Sequence, residues 1–195
     1  MQQRSRNRLV LIAIAVLFFL PVLAAVLMQS KWWHFEPAHT TNRGALVEPP
    51  QSIPDGAVDW TTEQGPRWMV LYLPATDCGK PCVEDAAALR QIHIGLGRRR
   101  EHVVIGLLPA NPGGALAPDE WQRVYDEFVI GAGRGDDAWQ VLRDAAAATG
   151  VGDATMARHA FLLDPAGRVV LAYPADFTPG DINKDLKRLL KGGAE

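Results

Sequence analysis

The chain has 195 residues, a net formal charge of −2 and 48% hydrophobic residues. That length fits one ordinary domain with additional segments, and no charge excess points to nucleic acid as a partner.

The first element in chain order is an uncharged run of 20 residues from Leu9 to Met28, long enough to cross a bilayer as a helix. Pro21 interrupts it, which membrane helices tolerate. Arg4, Arg6 and Arg8 precede the run and Lys31 follows it, so residues 1–8 are expected in the cytoplasm and the remainder outside. Trp32 and Trp33 suit the outer membrane–water interface. The competing reading is a cleaved signal peptide. Against it, the run exceeds the usual apolar core of about 7–15 residues, and no small-x-small cleavage site follows. The expectation is a single-pass anchor over 9–28 in an inner (plasma) membrane, with the C-terminal domain periplasmic.

Residues 34–56 are rich in Pro, Thr, Asn and Gly and show no apolar periodicity, so 29–52 is read as a linker. The folded domain is expected over 53–195. Within it a strand is predicted at 68–73 and a helix at 79–97. A second strand follows at 103–108, bounded by His102 and Pro109. A helix is predicted from Pro118 to about Val129, with acidic residues in its first turn. A Gly-rich break at 131–135 precedes a short helix at 136–148. Ala160–Leu163, the turn Asp164-Pro165-Ala166-Gly167 and Val169–Tyr173 read as a hairpin. Thr178 and Pro179 start a last helix, which puts Ile182, Leu186, Leu189 and Leu190 on one side. No internal repeat is present.

Cys78 and Cys82 are the whole cysteine complement, separated by Gly79, Lys80 and Pro81. A buried strand leads into the pair and a helix leads out of it. Backbone N–H groups and the helix dipole at such a junction favour thiolate, and so nucleophilic and soft-metal chemistry. The two thiols can close a disulfide or share one Cu(I). Cys78 lies before the helix and Cys82 a turn inside it, so Cys78 is expected to be the more reactive thiol. The bland alternative is a structural disulfide, but so short a bridge closes a tiny loop and stabilises little by chain entropy.

The strand–Cys-helix–strand unit followed by a hairpin and a covering helix is the thioredoxin-like order, an α/β fold with a central mixed sheet flanked by helices. The stretch from Val70 to Cys82, together with Phe161-Leu-Leu-Asp-Pro-Ala-Gly-Arg168, resembles the thioredoxin-like superfamily. The three-residue spacer resembles the Sco/SenC copper proteins of cytochrome c oxidase assembly. The layout also resembles the membrane-anchored thioredoxin-like proteins of bacterial cytochrome oxidase biogenesis clusters. The matching segments are Gly44-Ala-Leu-Val-Glu-Pro-Pro50, Arg90-Gln91 and Asp185-Leu-Lys-Arg-Leu-Leu-Lys191. That resemblance implies a periplasmic assembly factor that handles Cu(I), reduces a client disulfide, or both. Its partner would be an oxidase subunit or that subunit's assembly factors.

Two positions depart from the family patterns. The cis-proline of thioredoxin-type reductases falls at Arg158 here. The Sco copper-binding histidine falls at Met156, and His159 lies three residues later. The expected metal ligands are therefore Cys78 and Cys82 with Met156, His159 or neither; both types can ligate copper. Bland roles are a loop or core position for Met156 and a turn position for His159. His34, His39, His93 and His102 are not organised as a site, and His93 shares a helix face with Leu89 and Leu96. The Arg98-Arg99-Arg100 run reads as a solvated helix end. The remaining function classes are a general extracytoplasmic thiol-disulfide oxidoreductase, a peroxidase and a non-enzymatic scaffold with a structural disulfide. Ala75, where peroxidases of this fold carry Thr or Ser, argues against the peroxidase.

Overall fold

The structure is a computed structural model that describes residue 8 and residues 14–20, 42–62, 65–75, 79–152 and 155–192. Residues 14–20 are helical, and the chain divides into one unit over Met1–Thr40 and another over Thr41–Glu195. Most of the expected membrane span, 9–28, lies outside the described residues. Among those that are described, no helix is long and apolar enough to cross a membrane.

The second unit contains β1 (Ala45–Ser52), β2 (Val58–Trp60), β3 (Trp68–Tyr72), α1 (Gly79–Gly95), a 3-10 helix (Gly97–His102) and β4 (Val103–Leu107). It continues with α2 (Pro118–Gln122), β5 (Val129–Gly133), α3 (Asp137–Thr149), β6 (Ala160–Leu163), β7 (Arg168–Tyr173) and α4 (Pro179–Gly192). The seven strands form one mixed sheet in the order β1-β7-β6-β3-β4-β5-β2. β3, β4 and β5 run parallel, and the flanking pairs are antiparallel.

Strands β3 and β4 read as nearly continuous apolar runs because they lie mid-sheet, with both faces covered. Alternation along β3 sends Met69 and Leu71 into one cluster with Trp139, Leu142 and Ala145 of α3. Val70 and Tyr72 go to the other face, against Cys82, Ala86 and Leu89 of α1 and Ile182 and Leu186 of α4. Both α1 and α4 therefore cover the cysteine face of the sheet.

Three sequence expectations are corrected. The linker read over 29–52, with the domain starting at 53, ends too late: residues 45–52 are β1, an edge strand paired with β7. Its pairing is irregular between Leu46 and Gln51, the stretch holding Pro49 and Pro50, and an edge strand tolerates such prolines. The Gly-rich break expected at 131–135 is largely β5. Its glycines make room for two tryptophans. A Cβ at Gly131 would sit 2.7 Å from Trp60 Cζ3, and one at Gly133 would overlap the Trp139 ring. The helix expected from Pro118 to Val129 is the five-residue α2, because Val129 already belongs to β5.

Candidate dithiol site

β3 runs towards the cysteines and α1 runs away from them. Cys82 is the fourth residue of α1 and 1% exposed, in the apolar cluster that holds Tyr72 and Ala86. Its sulfur is disulfide-bonded. Cys78, the chain's other cysteine, lies outside the described residues. The first turn of α1 carries no acidic residue, so no carboxylate there offsets the partial positive charge of the helix start.

The segment before β6 is fixed opposite this junction by two backbone bonds. Arg158 N–H donates to Leu73 O at 2.7 Å, and Leu73 N–H donates to His159 O at 3.0 Å. Arg158, the residue at which the sequence count puts the thioredoxin cis-proline, has φ 62°, two residues after Met156 at φ 52°. Two non-glycine residues in the left-handed region within three positions mark a backbone held there by its surroundings.

Arg158 reaches across to α1. Its Nε donates to Asp85 at 2.8 Å and its Nη2 donates to the other carboxylate oxygen at 3.2 Å. Tyr72 Oη, at the end of β3, donates to the same carboxylate at 2.8 Å. Burial, reinforced by the Asp85 carboxylate, pushes the Tyr72 hydroxyl well above its usual value. The hydrogen bond to Asp85 raises the Arg158 guanidinium further still, so it stays charged. Asp85 was missed in the sequence. The available signal was an acidic residue one helical turn after Cys82, facing an arginine at the cis-proline position.

The structure gives the expected ligands different settings. His159 is 1% exposed, with Nδ1 3.2 Å from Ala157 O and Nε2 3.0 Å from Val151 O. Both ring nitrogens thus face carbonyls. Met156 is 3% exposed and belongs to the α3-side cluster, whereas Cys82 belongs to the α1-side cluster. Among the described residues no group of three or more His, Cys, Asp or Glu side chains could hold a metal ion. His93 is structural, as its helix face implied. Its Nδ1 lies 2.9 Å from Tyr125 Oη and its Nε2 lies 2.9 Å from Val103 O, which joins α1 to the segment after α2 and to the first residue of β4.

Comparison with solved structures finds the same fold. The apo Sco1 protein of Thermus thermophilus is similar at TM-score 0.50 and 19% identity, over 79% of this chain and 99% of that one. Yeast Sco1 with copper bound gives TM-score 0.49 and 12% identity, over 64% and 78% of the two chains. Arabidopsis thaliana ScoI with copper bound gives 0.48 and 15%, over 75% and 99%. Comparison with curated proteins by sequence returns no match. Residues 68–192, well over half of the chain, match the family described as transmembrane-like, thioredoxin-like, C-terminal domain, and the chain belongs to that family.

Proposed function

We propose that this protein is a membrane-anchored, extracytoplasmic dithiol–disulfide protein. It exchanges a disulfide between Cys78 and Cys82 with the thiols of a client. The observation that carries the reading is the placement of Cys82: disulfide-bonded, buried at the first turn of α1, and faced by a segment clamped to the end of β3. A thioredoxin-like sheet supplies rigidity, while a helix start without acidic residues favours the sulfur anion that exchange requires. Arginine excess before Leu9 supports the topology, and the resemblance to oxidase biogenesis proteins supports a terminal-oxidase subunit as client. Tethering raises the effective concentration near such a membrane partner.

The test uses the full-length chain in detergent, equilibrated in glutathione redox buffers and quantified by thiol alkylation. The expected result is a two-thiol transition that disappears in Cys78→Ser and in Cys82→Ser. A pair that no glutathione ratio reduces in the folded protein leaves only the structural disulfide. For the topology, a reporter joined after Glu195 is expected to be active only outside the cytoplasm, and cytoplasmic activity overturns the anchor orientation.

A second reading makes Cu(I) the cargo of the same two sulfurs, whose softness suits it. His159 has both ring nitrogens on carbonyls, and Met156 belongs to the apolar cluster on the other face of the sheet from Cys82. The geometry therefore favours a site of two thiolates. Anaerobic titration of the reduced protein should give about one Cu(I) per chain, lost in either cysteine variant and retained in Met156→Ala and His159→Ala. No binding by the reduced wild type ends the copper reading.

A further inference from the structure

We propose that Arg158 is a positioning charge that sets how readily the disulfide at Cys82 is reduced, with Asp85 as its counterweight. The inference rests on the dithiol reading above and deepens it.

Exchange with a client dithiol proceeds in two displacements. A client thiolate attacks one sulfur of the disulfide, the S–S bond breaks, and its electron pair leaves on the other sulfur of this chain. The second client thiolate then attacks the mixed disulfide and releases the remaining sulfur. The client ends as a disulfide, oxidised by two electrons; one of its two protons goes to one released sulfur and the other to solvent, which leaves the reduced pair with one sulfur as the anion. The reverse sequence reduces a client disulfide.

Each direction places negative charge on a sulfur, and the Cys82 sulfur belongs to a side chain only 1% exposed. Its neighbours in that cluster include Tyr72, Ala86 and Leu89. An anion in such surroundings is costly unless a compensating charge is close. Asp85 is three residues after Cys82 on the same helix, so the two share a face with Cβ atoms roughly 5–6 Å apart. Asp85 in turn holds Arg158 through two hydrogen bonds and Tyr72 through one. A negative charge one helical turn along from Cys82, and the positive charge bonded to it, therefore stand on the side of α1 that carries this sulfur. Their fields oppose each other there. The Arg158 side chain is 39% exposed and that of Asp85 is 17% exposed, so neither is sealed away as a purely structural buried pair would be.

Removing one member unbalances the pair, and the two removals act with opposite sign. Arg158→Met leaves the carboxylate, disfavours the sulfur anion and stabilises the disulfide. Asp85→Asn leaves the guanidinium, favours the anion and stabilises the dithiol. Single unit charges at this range correspond to about a tenfold change in the dithiol–disulfide equilibrium constant, or ~30 mV for two electrons.

The experiment measures that constant for full-length protein in detergent against glutathione buffers. Arg158→Met is expected to move it about tenfold towards disulfide and Asp85→Asn about tenfold towards dithiol. The double variant should return to within roughly threefold of wild type, and Arg158→Lys, which keeps the charge, should stay there too. If Arg158→Met does not fold, Arg158→Gln removes the same charge and carries the same expected sign. Single variants that shift in one common direction, or by less than about twofold, overturn the proposal. A purely structural role for the ion pair predicts the common direction. If wild type equilibrates with glutathione while the variants fail to diverge, only the role of Arg158 falls. If wild type does not equilibrate at all, the dithiol reading falls with it.

Discussion

Asp85 and Asp185 each accept a hydrogen bond from a tyrosine at the end of a strand, Tyr72 of β3 and Tyr173 of β7. Both tyrosines meet Phe177 edge-on, with centroids at 6.3 Å and 6.5 Å, so the two carboxylates anchor neighbouring parts of one face. Their remaining partners differ. Asp185 is fully buried and accepts the backbone N–H groups of Arg43 and Gly44, at 2.9 Å each for Oδ2. It thereby ties the start of β1 to α4 with donors that cannot move away. Asp85 instead holds the partly exposed guanidinium of Arg158. The same local device closes on buried backbone donors at Asp185, with Arg188 only at 4.0 Å, and on a partly exposed charged side chain at Asp85.

The sharpest way to break this contrast is Asp185→Ala. It strands two backbone donors and a tyrosine hydroxyl in the interior, and should cost about 3 kcal/mol or more of unfolding free energy, read from urea denaturation. The glutathione equilibrium constant of the folded protein should not follow. Should it shift tenfold, the two carboxylates are not functionally separate.

Gly44→Ala tests the same clasp by crowding. A Cβ there would lie 2.6 Å from Tyr173 Cζ, so the ring that donates to Asp185 must shift. The expected loss is about 1–3 kcal/mol, again without a change in redox equilibrium. A neutral result would mean the tyrosine is not held as tightly as its hydrogen bond implies.

Alkaline pH probes both sites at once. Burial first, then the adjacent carboxylate, raises the Tyr72 and Tyr173 hydroxyls above the usual tyrosine value. Tyr125 is pushed up to about 12 by burial and by Glu127. The folded state thus keeps protons that the unfolded chain releases near pH 10. This stability is fully present below about pH 10 and is lost as pH rises beyond it, for Tyr125 through about pH 12. Phenolate absorbance should appear together with unfolding. Ionisation of all three tyrosines near pH 10 in the folded protein would contradict their burial.

The smallest effect on stability is expected for Asp85→Asn. Its ion pair is partly solvated, and loss of about 1 kcal/mol or less is expected in denaturation, alongside the redox shift described above. A loss as large as that of Asp185→Ala would make Asp85 a second structural clasp.

How much of this was legible beforehand differs by element. The strand before the cysteines, the helix after them, the β6–β7 hairpin and the apolar side of α4 were all readable. Each follows from periodicity or turn chemistry within a dozen residues. The thioredoxin-like order followed from their sequence. β1 and β5 were hidden because prolines and glycines argue locally against a strand. Only an edge position tolerates the former, and only the bulk of Trp60 and Trp139 explains the latter. Gly44 and Asp185 each stood in a recognisable motif, yet nothing local says that the two motifs bond each other across 141 positions.

By itself, then, the sequence determined that two cysteines fall where a buried strand passes into a helix, which makes thiolate, disulfide or soft-metal chemistry the expectation. Tertiary structure decided what surrounds the sulfur. It brought Arg158 to Asp85 across 73 residues, turned both His159 nitrogens onto carbonyls, and put Met156 in the cluster on the opposite face from Cys82. The physical reason is range. Backbone preferences and hydrophobic periodicity act over a few residues and fix the elements, whereas side-chain partners depend on which strand ends the sheet order brings together.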